Sequence, residues 1–156
     1  MPAAVRIPTL DDYHAFDGAH CHRIWRRLSD TWRCPGCART KFEILRWTRR
    51  RPPGSTESFM GWLAAFHGHH DHASDRFGLG PDGNFLAPAP GRFEEVIICD
   101  HCNSTDGIVK RKLGLPQSWS FSVEEIAEFI TARPHAGHVI DYDKARIVYA
   151  RARRAG

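Results

Sequence analysis

Hydrophobic residues at helical spacing mark the two ends of the chain. They recur in residues 19–28, after the capping box that begins at Ser122, and in residues 141–154. The sequence Thr-Leu-Asp-Asp that begins at Thr9 adds the start of a short N-terminal helix. The pattern therefore predicts helices on both sides of a differently patterned centre.

Short apolar runs in the centre of the chain predict strands. Residues 41–50 place β-prone side chains among polar neighbours, and residues 93–98 return as a second strand. Residues 62–68 fit a strand or a helix by pattern, and we interpret them as a strand because they lead into a dense polar cluster. Glycine and proline recur through residues 77–92, which predicts a long irregular loop. Together these segments predict an α+β fold.

Length and charge narrow the classes of protein that the chain can be. Its 156 residues fit one domain, 1–156, with an N-terminal part (1–57), a central part (58–116) and C-terminal helices (117–156). With 22 Lys and Arg against 18 Asp and Glu, the formal charge is +4, as in binders of polyanions and in many ordinary enzymes. The chain has no apolar run of about 18 residues and no leader-like N-terminus, so we expect a cytoplasmic protein with no membrane partner.

Four of the five cysteines form two C-x-x-C pairs. One pair is Cys34 and Cys37, the other is Cys99 and Cys102, and Cys21 is left over. In a reducing compartment such pairs are more often zinc ligands than disulfides, and four thiolates form a closed, structural zinc site. A redox dithiol in the first pair is the alternative, but the thioredoxin-like βαβ pattern that would support it is not apparent. The cysteines therefore predict structural Zn²⁺.

Histidines are concentrated between the two cysteine pairs. The six residues from His67 to His72 hold four of the ten histidines and the carboxylate of Asp71, and Asn103 directly follows the second pair. A solvated polar turn is the simpler interpretation of the histidines. Hydrolysis of a phosphodiester, however, needs a base near neutral pH and a hard cation with oxygen ligands, and these residue types supply both.

In this order of motifs the chain resembles the HNH, or ββα-metal, nucleases, and most closely the branch that contains phage recombination endonuclease VII. The resemblance covers about residues 34–115 and rests on a first C-x-x-C, a strand rich in His and Asp, and a second C-x-x-C that runs into Asn103. It implies a ββα-metal core over residues 58–116. In that core Asp71 and Asn103 would bind Mg²⁺ or Mn²⁺, and His72 would be the general base.

The resemblance leaves the register of the histidine segment open. His69 and His70 could themselves be the ligand and base, as in relatives of the family that use two adjacent histidines. We favour Asp71 with His72, because an Asp ligand pairs naturally with the Asn. Two further features depart from the family: residues 77–92 form an insertion between the two strands, and the position of an additional helical ligand falls on a glycine. Asp106 is the nearest substitute for that ligand.

Two basic clusters are candidates for contact with nucleic acid. They are Lys110, Arg111 and Lys112 beside the Asn103 segment, and Arg49, Arg50 and Arg51 before a Pro-Pro-Gly loop. We therefore expect a metal-dependent DNA endonuclease, with RNA as a substrate that the sequence does not rule out. One such site cuts one strand, so double-strand cleavage would need a homodimer or two sequential cuts. The alternative is a noncatalytic zinc module that binds nucleic acid through these cations.

Overall fold

The computed structural model describes residues 4–75, 78–79, 81–86 and 91–156. The helices in these ranges are α1 Leu10–Ala15, α2 His22–Arg27, α3 Lys41–Ile44, α4 Asp100–Leu113, α5 Val123–Phe129 and α6 Tyr142–Ala155. The strands are β1 Arg46–Arg50, β2 Phe59–Leu63, β3 Phe66–His69, β4 Gly78–Leu79, β5 Phe85–Leu86, β6 Val96–Cys99, β7 Ile130–Thr131 and β8 Val139–Ile140. Short 3₁₀ turns lie at Ala19–Cys21 and His72–Asp75. This mixture of helices and small sheets confirms the α+β prediction.

The strands pair in antiparallel twos, and one pair leads directly into a helix. Strands β3 and β6 pair antiparallel, with Phe66 opposite Cys99 at one end and His69 opposite Val96 at the other. The chain leaves β6 straight into α4, so that two strands and the helix after them form one unit. The other pairs in the described ranges are β1 with β2, β4 with β5 and β7 with β8.

Capping boxes set the start of several helices. Thr9 accepts from the backbone N–H of Asp12 at α1, as its sequence predicts, and Ser122 caps α5 in the same way. A third capping box, Thr40 with Glu43, begins α3 in a segment that we predicted as strand. That prediction is corrected: residues 41–44 form one helical turn, and only residues 46–50 form the strand.

Helix α4 begins within the second cysteine pair. Its first residue is Asp100 and its N-cap is Cys99, so the second cysteine pair lies in the first helical turn and not in a knuckle before the helix. Gly114 ends the helix with a φ of 66°, a left-handed conformation that glycine adopts at low cost. The predicted strand over residues 62–68 is also divided, because β2 ends at Leu63 and β3 begins at Phe66.

One hydrophobic cluster extends from the N-terminal helices to α6. Trp25 packs edge-on against Phe16, with ring centroids 4.9 Å apart, and lies 6.1 Å from Phe66. At the other end Phe121 packs edge-on against Phe129 at 4.9 Å. The predicted inner face of α6 is confirmed, since its buried residues are Ala145, Val148 and Ala152. Among the described residues, no helix is both long and apolar enough to cross a membrane.

The predicted loop over residues 77–92 is only partly described. Residues 78–79 pair with residues 85–86 as β4 and β5, so this part has more regular structure than the irregular loop that we predicted. Residues 77, 80 and 87–90 of the segment lie outside the described ranges.

Candidate functional site

The four paired cysteines converge on one point. Their sulfur atoms all lie within 4.8 Å of one another. Two contacts are 3.7 Å, from Cys34 to Cys102 and from Cys37 to Cys99. Sulfur atoms at the corners of a tetrahedron around zinc, with Zn–S bonds of about 2.3 Å, are about 3.8 Å apart. The predicted grouping is therefore confirmed, and the cluster has the donors and spacing for a structural metal such as zinc.

The first cysteine pair is shaped by a tight turn. The backbone N–H of Ala38 donates to the carbonyl of Cys34 at 2.7 Å, and the N–H of Cys99 donates to the sulfur of Cys34 at 3.3 Å. A Cβ added at Gly36 would lie 2.9 Å from the sulfur of Cys102. Only glycine therefore lets the turn approach the second cysteine pair this closely.

Arg39 contacts the cluster, a role that the sequence analysis missed. Its guanidinium donates to the sulfurs of Cys37 and Cys99, each at 3.3 Å. It also donates to the carbonyl oxygens of Arg133 and Ala136, at 3.1 and 2.8 Å. Because the side chain is buried, its positive charge needs these partners, and thiolates are the anions that it meets. An arginine two residues after a C-x-x-C was the available signal.

The connection between β7 and β8 covers the cysteine cluster. Nε2 of His138 lies 3.3 Å from the sulfur of Cys102. His135 anchors the same connection: its Nδ1 donates to the carbonyl of Leu45 at 2.8 Å, and its backbone N–H donates to that of Glu43 at 2.7 Å. The C-terminal region thus closes the site. The C-x-x-C motifs give no indication that His138 contacts Cys102, because His138 lies far from both motifs in the sequence.

Hydrogen bonds among the four cysteine thiols shift their pKa values in opposite directions. Contact with Cys102 lowers the pKa of Cys34 to about 7 and is also the largest cause that lowers the pKa of Cys37. The pKa of Cys102 itself is raised, chiefly by its contacts with Cys34 and Cys37. The directions favour thiolates at Cys34 and Cys37, and a metal that binds all four sulfurs would release the remaining protons.

An ion pair joins β1 to the start of α4. The carboxylate of Asp100 accepts from Arg46 at 2.8 Å and from Nε2 of His67 at 3.2 Å. Burial by itself would raise the pKa of Asp100, but Arg46 and, to a smaller extent, His67 hold it below its ordinary value. His67, the first residue of the histidine segment, therefore has a structural contact away from Asn103.

A separate, open cavity of about 670 Å³ lies between His72, one face of α4 and residues 117–118. It brings together His72, Asn103 and two of the predicted nucleic-acid contacts, Lys110 and Arg111. Asp106, the substitute helical ligand, also lines it, and the other polar residues in its wall are Ser104, Gln117 and Ser118. The ββα unit thus places the proposed base and one proposed ligand at the same cavity, although they are far apart in the sequence.

Asn103 reaches the cavity because it follows Cys102 by one helical position. Successive side chains on an α-helix point about 100° apart, so Cys102 faces the cysteine cluster while Asn103 faces outward. In the described ranges, we find no protein group that hydrogen-bonds to the Asn103 side-chain amide. Its carbonyl oxygen is therefore open to a ligand.

His72 lies at the mouth of the cavity with an exposed ring. Its backbone N–H donates to the hydroxyl of Ser120 at 3.3 Å, which fixes the chain at the start of the 3₁₀ turn. The ring centroid lies 5.0 Å from that of His70. Nδ1 of His70 in turn lies 3.6 Å from the carboxylate of Glu95. Two imidazoles and a carboxylate therefore stand next to one another.

Asp71 is turned inward. Its side chain is 1% exposed, and its two oxygens accept from the backbone N–H groups of Ala73 at 3.3 Å and of Arg92 at 3.0 Å. Asp71 is absent from the residues that line the cavity. In this structure the carboxylate connects two stretches of backbone.

His69, the ligand in the alternative register, lies in the core. It is 2% exposed, its Nε2 donates to the carbonyl of Phe121 at 2.6 Å, and its ring stacks on Phe93 at 5.3 Å. Asp106, the substitute helical ligand, is also buried. It accepts from the N–H of Phe121 at 2.8 Å and from Nζ of Lys110 at 2.7 Å. His69 is therefore used in packing the fold, whereas Asp106 is paired with Lys110 at the wall of the cavity.

The basic clusters differ in accessibility. Lys110 lines the cavity, but it is only 2% exposed and its Nζ also donates to the carbonyl of Trp119 at 2.8 Å. Arg111 and Lys112 are exposed on the same helix. The second cluster, at the end of β1, contains Arg49, Arg50 and Arg51. In this cluster Arg49 and Arg51 are exposed and Arg50 is half-buried.

Comparison with known proteins identifies no relative. No model of a protein family, no curated protein and no solved structure matches this chain. The function is therefore inferred from the residues and contacts above.

Proposed function

We infer that the chain is a metal-dependent DNA endonuclease of the HNH, or ββα-metal, kind. One observation carries this proposal: the β3–β6 pair and α4 bring His72 and Asn103 to the wall of one open cavity. The order of strand, strand and helix, with the asparagine in the first turns of the helix, is what the family resemblance leads us to expect. The cysteine cluster behind that helix supports the same proposal.

His72 is the proposed general base. An imidazole that titrates near neutral pH can take a proton from a water molecule as that water attacks the phosphorus in line. The exposed position of His72 gives water and a phosphate group access to its ring. His70, 5.0 Å away between ring centroids, is placed to influence the orientation and charge of that ring. Cleavage would leave 5′-phosphate and 3′-hydroxyl ends, as the resemblance implies.

The oxygen of the Asn103 side chain is the proposed ligand for Mg²⁺ or Mn²⁺. Amide and carboxylate oxygens suit these hard cations, and no described protein group hydrogen-bonds to this amide. The cation would stabilise negative charge on the phosphate and the leaving oxygen. The residues that hold it thereby also position the phosphate opposite His72.

Asp71 is the second proposed ligand, and its surroundings set a condition on that role. Its oxygens accept from the backbone N–H groups of Ala73 and Arg92, and carboxylate oxygens are ligands that suit a hard cation. Because the side chain is buried, ligation requires the loop that holds Arg92 to shift or the carboxylate to rotate. Without such a change Asp71 supports the site by holding the backbone beside His72.

Structural Zn²⁺ is the proposed occupant of the cysteine cluster. Four thiolates around a divalent cation leave two negative charges, and the buried Arg39 guanidinium offsets one of them through its contacts with Cys37 and Cys99. The cluster ties the N-terminal turn to the first turn of α4, and therefore holds Asn103 in place. Zinc in this position has no open coordination site, so it is structural and not catalytic.

The proposal is tested by cleavage of supercoiled plasmid DNA. We expect nicking or linearisation with Mg²⁺ or Mn²⁺, and its loss in His72→Ala, because this change removes the proposed base. Divalent metal should be omitted and added back, since a chelator would also strip the cysteine cluster. His22→Ala, at an exposed position of α2, is the matched control and should cleave normally.

The test also decides between the two candidate functions. Equal cleavage by His72→Ala and the original protein would contradict the assignment of the base. A folded, zinc-loaded protein that binds DNA but leaves every form of it intact would favour the noncatalytic zinc-stabilised module. Duplicate reactions with RNA would decide whether the substrate class extends beyond DNA, and the appearance of linear product ahead of nicked product would favour a homodimer.

A further inference from the structure

A second cavity lies away from the His72 site. It has a volume of about 460 Å³ and is bounded by the 3₁₀ turn Ala19–Cys21 on one side and the β1–β2 hairpin on the other. It shares no lining residue with the cavity at Asn103. Its volume falls in the range of about 300–1,000 Å³ that is usual for small-molecule sites.

The wall of this cavity carries a net positive charge. Arg49, Arg50 and Arg51 all line it, together with His20 and a single carboxylate, that of Asp17. In the described part of the chain, none of these three guanidinium groups has a carboxylate within 4.0 Å. Arg49 donates to the hydroxyl of Ser58 at 3.0 Å, which leaves its charge uncompensated. A cavity of this kind attracts an anion, and arginine donors match the oxygens of phosphate.

An aromatic ring lies beside this charge. Phe59 lines the cavity and remains 49% exposed, although burial would be favourable for a ring of this size. The Arg50 guanidinium lies 5.3 Å from its centroid and is held by a hydrogen bond to the carbonyl of Trp62 at 3.0 Å. A flat, partly exposed ring next to arginines offers a stacking surface for a planar group that carries a phosphate.

The sequence of β2 keeps this arrangement in place. A Cβ at Gly61 would lie 3.1 Å from the Phe59 ring and 3.2 Å from the Arg50 side chain. Both side chains therefore lie across the glycine, and Arg50 and Phe59 are direct partners in the strand register. The cavity is built by the hairpin and does not depend on a flexible surface side chain alone.

We propose that this cavity binds a nucleoside phosphate, with the phosphate against the arginines and the base stacked on Phe59. The source would be either a free nucleotide or an unpaired nucleotide in a DNA strand. A base within a duplex is stacked and paired, so it cannot enter a concave site without leaving the helix. The proposal adds a second nucleic-acid contact to the proposed nuclease, but the binding that it describes does not require cleavage.

The test is equilibrium binding to the full-length protein without added divalent metal or chelator. Probes are a fluorescent single-stranded oligothymidylate, the matching duplex, the free mononucleotide and inorganic phosphate. We expect the single strand to bind more tightly than the duplex, and Phe59→Ala to weaken that binding about tenfold, as for loss of one stacked base. Phe59→Trp keeps a stacking surface and should retain binding.

Met60→Ala is the matched control for the aromatic ring. Met60 is the next residue of β2, is equally exposed at 49% and does not line the cavity. For the charges, the double change Arg49→Ala with Arg51→Ala is compared with Arg146→Ala plus Arg154→Ala, which removes the same charge from α6. Only the Arg49→Ala, Arg51→Ala double variant should show a weaker salt dependence of binding. The slope of log binding constant against log salt concentration should become shallower by about 0.7 for each lost phosphate contact.

Each outcome distinguishes the source or overturns the proposal. Tight mononucleotide binding that is lost in Phe59→Ala assigns a free nucleotide, while strand binding without mononucleotide binding assigns an unpaired nucleotide. Equal effects of Phe59→Ala and Met60→Ala, or equal effects of the two double-arginine variants, would overturn it. So would inorganic phosphate that binds as tightly as the nucleotide. Failure of plasmid cleavage with this binding intact would contradict the nuclease alone.

Discussion

The cysteine cluster and the His72 cavity lie on the same turn of α4 but have opposite character. In the cluster, the four sulfur atoms lie close together, and those of Cys37 and Cys99 accept hydrogen bonds from the buried Arg39, which also donates to the carbonyl of Ala136 in the covering β7–β8 connection. At the cavity, about 670 Å³ of open space borders a side-chain amide that no described protein group binds. The difference separates a part that maintains the fold from a part that is available for a ligand.

Helix geometry makes the two parts dependent on each other. Cys102 and Asn103 are consecutive, so any force that holds the cysteine also fixes the direction of the asparagine. A ligand site works best on rigid elements whose own contacts are satisfied. The closed cluster thus gives the open cavity a firm wall, and the two should respond very differently to substitution.

The largest effect is expected from Cys102→Ser. Loss of one thiolate from four should cost on the order of 10 kcal/mol of metal-linked folding free energy, which is comparable to the whole stability of a small domain. Zinc content by mass spectrometry and thermal unfolding by circular dichroism measure the effect. Cys21→Ser is the matched control, because Cys21 lies outside the cluster. A Cys102→Ser protein that keeps full zinc and an unchanged unfolding temperature would show that the cluster is not a metal site.

A smaller effect is expected when the buried ion pair in the wall of the cavity is broken. Asp106→Ala leaves the Lys110 ammonium buried without its carboxylate and the Phe121 N–H without an acceptor. The free energy of unfolding should fall by about 3–5 kcal/mol in urea denaturation. Glu128→Ala removes an exposed ion pair with Arg151 and should change stability little. Similar losses in the two variants would contradict a structural role for the buried pair.

The smallest effect on stability is expected from Asn103→Ala. Its amide has no protein partner among the described residues, so the free energy of unfolding should change by no more than about 0.5 kcal/mol. Metal-dependent plasmid cleavage, by contrast, should be lost or need much higher Mg²⁺ concentration. Asn84→Ala changes an exposed amide that does not line the cavity and should leave cleavage unaltered. Normal metal dependence in Asn103→Ala would remove this residue from the proposed ligands.

Local sequence patterns predicted a large part of the fold. The boxes at Thr9 and Ser122 cap helices as expected, because a side-chain hydroxyl satisfies backbone N–H groups within the same turn. The buried stripe of α6 follows from helical periodicity. The box at Thr40 was overlooked, since the β-prone residues that follow it gave the stronger pattern.

Local sequence patterns did not predict which side chains of the histidine segment are buried and which are exposed. His69 and His72 are the same residue type three positions apart, yet one is enclosed by Phe121 and Phe93 and the other is exposed. Lys110 and Arg111 show the same contrast on one helix, because Asp106 and the carbonyl of Trp119 draw only Lys110 inward. Partners distant in the sequence decide these positions.

By itself the sequence determined which cysteines form the cluster, since two C-x-x-C pairs supply four soft donors with short turns between them. It also determined that an asparagine directly follows the second pair. Only the tertiary structure decided that His72 shares a cavity with Asn103, that Asp71 faces inward, and that Arg39 and the β7–β8 connection enclose the sulfurs. The reason is physical: ligand type and local spacing are properties of short segments, whereas burial and charge partners arise only when distant segments pack together.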